Sequence, residues 1–211
     1  MHIVGGRAGA GSLIAVTGWR IVLAAVAWYG FAKAMHGDAG NIVYFSQLST
    51  LSVAVVASVG TFSPLWNGWR IEGNAGFLRG AAVTYATVTM LVFNFVMKGG
   101  LDTTGSRIEH LVVPLMAIAD WLIVGRNQGR VRAWVPLVWL VPVAAYLPLY
   151  VGEFHRRGYP LYGFLDPGRS SFLGWVIALV VAFAVLGYLY WGVGRGRQAL
   201  LDARSGSSVT S

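Results

Sequence analysis

Three residues within one apolar stretch have chemistry that a plain anchor helix would not need. They are His110, Pro114 and Asp120, in the segment running from Arg107 to Val124. Ionisable groups are costly in hydrocarbon, so a histidine and an aspartate there each require a partner or a task. Pro114 lacks the N–H that would bond the His110 carbonyl four residues back, which frees that carbonyl for another donor. The surrounding elements have to supply what these residues need.

Composition sets the class. The chain has 211 residues, 56% of them hydrophobic and 11% charged, with a mean hydropathy of +0.61. Soluble domains carry about a quarter charged residues, so the deficit points to a polytopic membrane protein. The net charge of +8 does not indicate a nucleic-acid partner, because the arginines sit in short loops between apolar runs. The absence of cysteine removes thiolate zinc sites, iron–sulfur clusters and cysteine nucleophiles together. No metal-ligand spacing, phosphate loop or dinucleotide fingerprint appears, so neither a metal nor another cofactor is expected.

Crossing a bilayer takes roughly 20 apolar residues. Six runs meet or approach that length: Ser12–Met35, Tyr44–Phe62, Phe77–Met97, Ile108–Val124, Ala133–Val151 and Ser171–Trp191. The expected fold is an all-α bundle of six transmembrane helices over residues 1–193. A polar Ser/Gly-rich tail, 194–211, reads as a disordered cytoplasmic segment. Lysines and arginines divide nine (Arg7, Arg70, Arg79, Arg126, Arg130, Arg132, Arg195, Arg197, Arg204) against six (Lys33, Lys98, Arg107, Arg156, Arg157, Arg169). The richer side is cytoplasmic by the positive-inside rule, with both termini there.

That orientation assigns depths. Ser46, Gln47, Ser49 and Thr50 fall in the outer turns of the second helix. Asn94 ends the third helix at the outer boundary, and His110 begins the fourth at the same level. Polar residues from three helices converge there, as interhelical glue or as a site. Arg20 lies ~9 Å into the first helix from inside, and Asp120 ~18 Å down the fourth from outside. The matched depth predicts a structural ion pair. Proline recurs at 136, 142 and 148 in the fifth helix. The outer loop 152–170 is rich in aromatics, suited to an interfacial belt or to a lid.

Three segments together resemble a known family. Tyr44-Phe-Ser-Gln-Leu-Ser-Thr-Leu51 is similar to the Tyr-Phe-Thr-x-x-Ser-Asn-Leu segment of bacterial "Pr-six-Pr" membrane proteins. His110-Leu-Val-Val-Pro114, followed by Asp120-Trp121, resembles their His-x-x-x-Pro…Asp-Trp helix. Tyr159-Pro-Leu-Tyr-Gly-Phe-Leu-Asp166 is similar to their Tyr-Pro-x-x-Phe-Leu-Asp loop. That family in turn resembles the androgen-induced and androgen-dependent membrane proteins of animals, six-helix hydrolases of fatty acid esters of hydroxy fatty acids. The resemblance implies a catalytic Ser46, in place of the family's threonine, with His110 as its base. Thr50 replaces an asparagine and removes an amide donor. Gln47, Thr50 and Asn94 are the expected substrate contacts, with Gln47 or Asn94 as oxyanion donor. The expected partners are membrane lipid and a lipid-ester substrate. Two other classes fit the same residues. One is a non-enzymatic lipid- or small-molecule-binding protein or transporter, and the other is a b-type haem protein with His36 and His110 as axial ligands.

Overall fold

The computed structural model describes residues 9–69, 76–124 and 127–207, with side chains to Ala203. Arg7, Arg70 and Arg126 lie outside the described residues. The architecture is all-α, with no strand among the described residues. The long helical runs are α1 (Ala10–Met35), α2 (Phe45–Trp66), α3 (Gly76–Val96), α4 (residues 104–124), α5 (Val135–Arg157) and α6 (Phe172–Ser207).

Five of these runs, all except α4, are long and apolar enough to cross a membrane. The α4 run carries Arg107, Glu109, His110 and Asp120 and falls outside that set. It packs against α1, α2 and α3, with Leu115, Leu122 and Ile123 left exposed. Leu173, Ile177, Val181, Val185 and Leu189 of α6 are 52–65% exposed. At four-residue spacing they form one apolar stripe with no protein over it, the surface expected of a helix facing lipid. This is the build of a helical membrane protein.

Small residues let α1 and α2 approach. Ala54, Ala57 and Gly60 recur every third residue on α2 and meet the α1 face of Ala24 and Ala27. Such faces are how helices pack where hydrophobicity gives no driving force. Gly80 of α3 serves the same end, since a Cβ there would overlap the Trp139 ring.

Three of these helices are not α-helical throughout: α5 is broken at Trp139, and α3 and α4 contain wider turns. Val92–Val96, Ile108–Val112 and Asp120–Val124 are π-turns. A π-turn bonds i to i+5 and accommodates one extra residue. Each carries adjacent residues that a regular helix, at about 100° per residue, would fan apart.

The tail differs from expectation. Helix α6 continues to Ser207 instead of becoming irregular at Gly194. Long-range contacts hold the extension to the turn after α4. Arg195 donates to the Gly129 carbonyl at 3.1 Å, and Arg197 to the Ile123 carbonyl at 2.6 Å. Gly194 leaves room for Gln128.

Candidate functional site

The site forms where α2 begins. Tyr44 is extended and gives no side-chain cap. The Phe45 N–H, one of the helix's orphan donors, instead donates to the Tyr162 hydroxyl at 2.8 Å. Tyr162 comes from the loop between α5 and α6, and its ring stacks against Tyr150. Burial pushes the Tyr162 phenol up to about 12 from an ordinary value of 10.0, so it is a neutral O–H at physiological pH. Ser46 follows in the same turn. Its carbonyl accepts from Ser49 Oγ at 2.8 Å, and Thr89 of α3 donates to Ser49 Oγ at 3.0 Å.

Helix α4 brings two groups to Ser46. In the π-turn Ile108–Val112 both Glu109 and His110 are buried. The Glu109 carboxylate lies near the Ser46 and Gln47 side chains, on the same cavity wall. His110 Nε2 lies 3.6 Å from Glu109 Oε2, and its ring stacks on Phe93 with centroids 3.6 Å apart and planes 7° apart. Gly99 permits this, because a Cβ there would collide with the Phe93 ring. Asn94 Nδ2 donates to the His110 carbonyl at 3.4 Å, the acceptor that Pro114 leaves open. Three buried atoms at the site have no hydrogen-bond partner among the described residues: Gln47 Oε1, Glu109 Oε1 and His110 Nδ1. Buried polar atoms are ordinarily satisfied, so these three await water or a ligand.

Two cavities meet at these residues. The first has a volume of about 360 Å³ and apolar walls that include Val88, Val92, Leu179 and Phe183, with Tyr162 and Ser46 also in its lining. The second, about 310 Å³, is polar and takes in His36, Asn41, Gln47, Thr103, Ser106 and Glu109. Tyr44, Ser46 and His110 line both. A greasy chamber and a wet vestibule thus share one wall, and that wall holds a hydroxyl, an imidazole and, on the vestibule side, a carboxylate.

The expected residues divide. Ser46, Gln47 and His110 are brought together. Ser46 and His110 share no hydrogen bond among the described residues; both line the cavity that Glu109 also lines. Thr50 is 1% exposed and lines neither cavity. Asn94 also lines neither, and its amide is committed to the Met90 and His110 carbonyls. Glu109 was not foreseen as a member of the site; it is buried in the π-turn beside His110. Tyr162, Phe93 and Thr89 were not foreseen as members of the site; for Tyr162 the only signal was its place in the aromatic loop. His36 and His110 do lie on one vestibule.

A second polar centre lies further along α4. Arg20 Nε is 3.8 Å from Asp120 Oδ1, within ion-pair range. The tighter partner is Arg79, whose Nη2 and Nε lie 2.7 and 2.9 Å from Asp120 Oδ2. Arg79 also donates to the Asp120 carbonyl at 2.8 Å and to Asn127 Oδ1 at 2.6 Å. Counted from sequence as a loop charge, Arg79 is buried and packs near the Trp121 ring. The cavity beside this cluster is only about 20 Å³, room for roughly one water, so the centre is structural.

No family model, curated protein or solved structure matches the chain.

Proposed function

We propose that the chain is an integral membrane hydrolase of lipid esters, with Ser46 as nucleophile. The observation that carries the reading is the shared wall: Ser46 and His110 face both an apolar chamber and a polar vestibule. An ester binding there has its chain in one space and its alcohol portion in the other. Six transmembrane helices, counting α4, and both termini in the cytoplasm complete the proposal. With Arg79 buried, the loop cations divide eight against six (nine less Arg79), the same sign as before.

Each group has one step. Ser46 Oγ attacks the ester carbonyl while its proton passes to Glu109, the carboxylate it already faces. The Tyr162 O–H, whose oxygen is occupied by the Phe45 N–H, donates to the developing oxyanion. The C–O bond to the alcohol breaks, and protonated Glu109 returns its proton to the leaving alkoxide. Water from the vestibule then loses a proton to His110 Nδ1 and attacks the acyl-serine. The Oγ–C bond breaks, and His110 gives the proton back to Ser46.

The test is labelling by a fluorophosphonate together with ester turnover by the purified protein. Ser46→Ala should lose both. Glu109→Gln should slow acylation by ~10²–10⁴-fold, the usual weight of a general base. His110→Ala should accumulate acyl-enzyme after a burst. Undiminished labelling and turnover in Ser46→Ala would sink the proposal. The absent Ser46–His110 hydrogen bond favours a second reading, a lipid-binding protein without turnover. That reading is supported if ester binds and neither labelling nor turnover occurs. Orientation is tested by maleimide access to single cysteines: Arg132→Cys should react from the cytoplasm and Ser170→Cys from outside.

A further inference from the structure

The vestibule is specific in what it lacks. Among the described residues that line it there is one carboxylate, Glu109, and no lysine or arginine. Two of its donors are spent. Asn41 Nδ2 donates to the Met35 carbonyl at 3.0 Å, and Ser106 Oγ to the Gly100 carbonyl at 2.8 Å. Its unmet atoms include two acceptors, Gln47 Oε1 and Glu109 Oε1. A group that satisfies those two oxygens must bring hydrogen-bond donors. A phosphate or carboxylate brings acceptors and a negative charge, and would leave both oxygens unpaired beside a third. Hydroxyl groups meet the need.

The other side of Ser46 holds a single apolar chamber of about 360 Å³, in the range of sites that enclose one small ligand. The vestibule gives a second hydrocarbon chain no apolar wall.

We propose that the site takes monoacyl esters of small neutral polyols, the monoacylglycerol type, with the acyl chain in the apolar chamber and the free hydroxyls on Gln47 and Glu109. The bond broken rests on the hydrolase reading above, whereas the ligand class rests on the two cavities alone. The balance is that of hydrolysis: ester and water give fatty acid and polyol.

The experiment compares three ligands of matched acyl length at about pH 8. They are a monoacylglycerol, the corresponding lysophosphatidate, and a fatty acid ester of a hydroxy fatty acid, which adds a second chain and a carboxylate. Turnover is measured on the full chain in detergent micelles and binding on Ser46→Ala, by quenching of intrinsic fluorescence. The monoacylglycerol should lead both others by roughly tenfold or more, the discrimination expected from one or two unpaired polar groups. Ser106→Lys, which adds a cation to the vestibule, should shift preference toward lysophosphatidate. Selective binding without turnover keeps the ligand class and removes the hydrolase. Turnover that favours either anionic ester, or ranks all three alike, overturns the ligand class and leaves the hydrolase standing, whereas the same pattern in binding without turnover overturns both. No binding and no turnover of any of them overturns both.

Discussion

Replacing Asp120 tests the packing logic of the bundle. Its carboxylate sits between two buried guanidinium groups, at 2.7 and 2.9 Å from Arg79 and 3.8 Å from Arg20. Asp120→Ala leaves two cations in the interior without their shared counter-charge. Breaking such a pair from one side costs ~3–5 kcal/mol. Asp120→Asn removes the charge but keeps an acceptor for Arg79, worth about 1 kcal/mol, so its cost is nearer ~2–4 kcal/mol by the same reasoning. The double variant Arg79→Met/Asp120→Leu should cost less than the sum of its singles, with coupling of at least ~2 kcal/mol. Unfolding by SDS titration from mild detergent, followed by tryptophan fluorescence, reads these differences. On heating, Asp120→Ala should melt about 6–20 °C lower, at ~2–4 °C per kcal/mol for a chain this size. Folded Asp120→Ala should still label at Ser46, because Asp120 lies ten residues, ~15 Å, along α4 from His110. A stability loss under about 1 kcal/mol would refute the assignment of Asp120 as the shared counter-ion.

Tyr162→Phe should lower ester turnover by ~10²–10³-fold, as loss of an oxyanion donor does, and should destabilise by ~1–3 kcal/mol because the Phe45 N–H loses its acceptor. The phenol titrates at about 12 in the folded chain against 10.0 ordinarily. The folded state therefore holds this proton longer, so the contribution is complete below pH 10 and is lost as pH rises from 10 toward 12. Alkaline unfolding curves of Tyr162→Phe should fall less steeply across that interval than wild type; parallel curves would count against the shift. Gly80→Ala should destabilise by ~1–3 kcal/mol through overpacking against Trp139, and pairing it with Trp139→Leu in a thermal melt should recover most of the loss.

The apolar runs were legible because membrane helices show their length directly in composition. The open carbonyl of His110 was legible too, since Pro114 removes a donor wherever it sits, and Asn94 is the donor that answers. Arg20 beside Asp120 followed from depth alone. Arg79 was misread because it lies near the end of its run, where an arginine in solvent and one turned inward look the same. Glu109 was not legible as a site residue, because a single helical period does not show where a π-turn carries its side chains. The role of Tyr162 depends on a loop folding back 117 residues in sequence onto α2, and no local pattern encodes that. The tail was read from its composition, yet the contacts that keep it helical come from Ile123, Gln128 and Gly129.

The wide turns of α4 carry a further consequence. Each one behaves as a single-residue insertion that the helix absorbs locally, so the segments on either side hold independent rotational phases. His110 and Glu109 can be aimed at α2 while Asp120 and Trp121 are aimed at α3 and α6, although one continuous rod carries all four. Chain length inside the turn is therefore buffered. Deleting Val112, which is 37% exposed, removes little buried surface and takes out the extra residue that the turn accommodates. The helix then rewinds to the ordinary period with Asp120 still facing Arg79, while Glu109 and His110 lose the wide turn that carries them. The same deletion within Val113–Ala119, an α-helical stretch, has no extra residue to give up and rotates everything downstream by about 100°. A deletion one residue long is thus a local edit in the turn and a twist outside it.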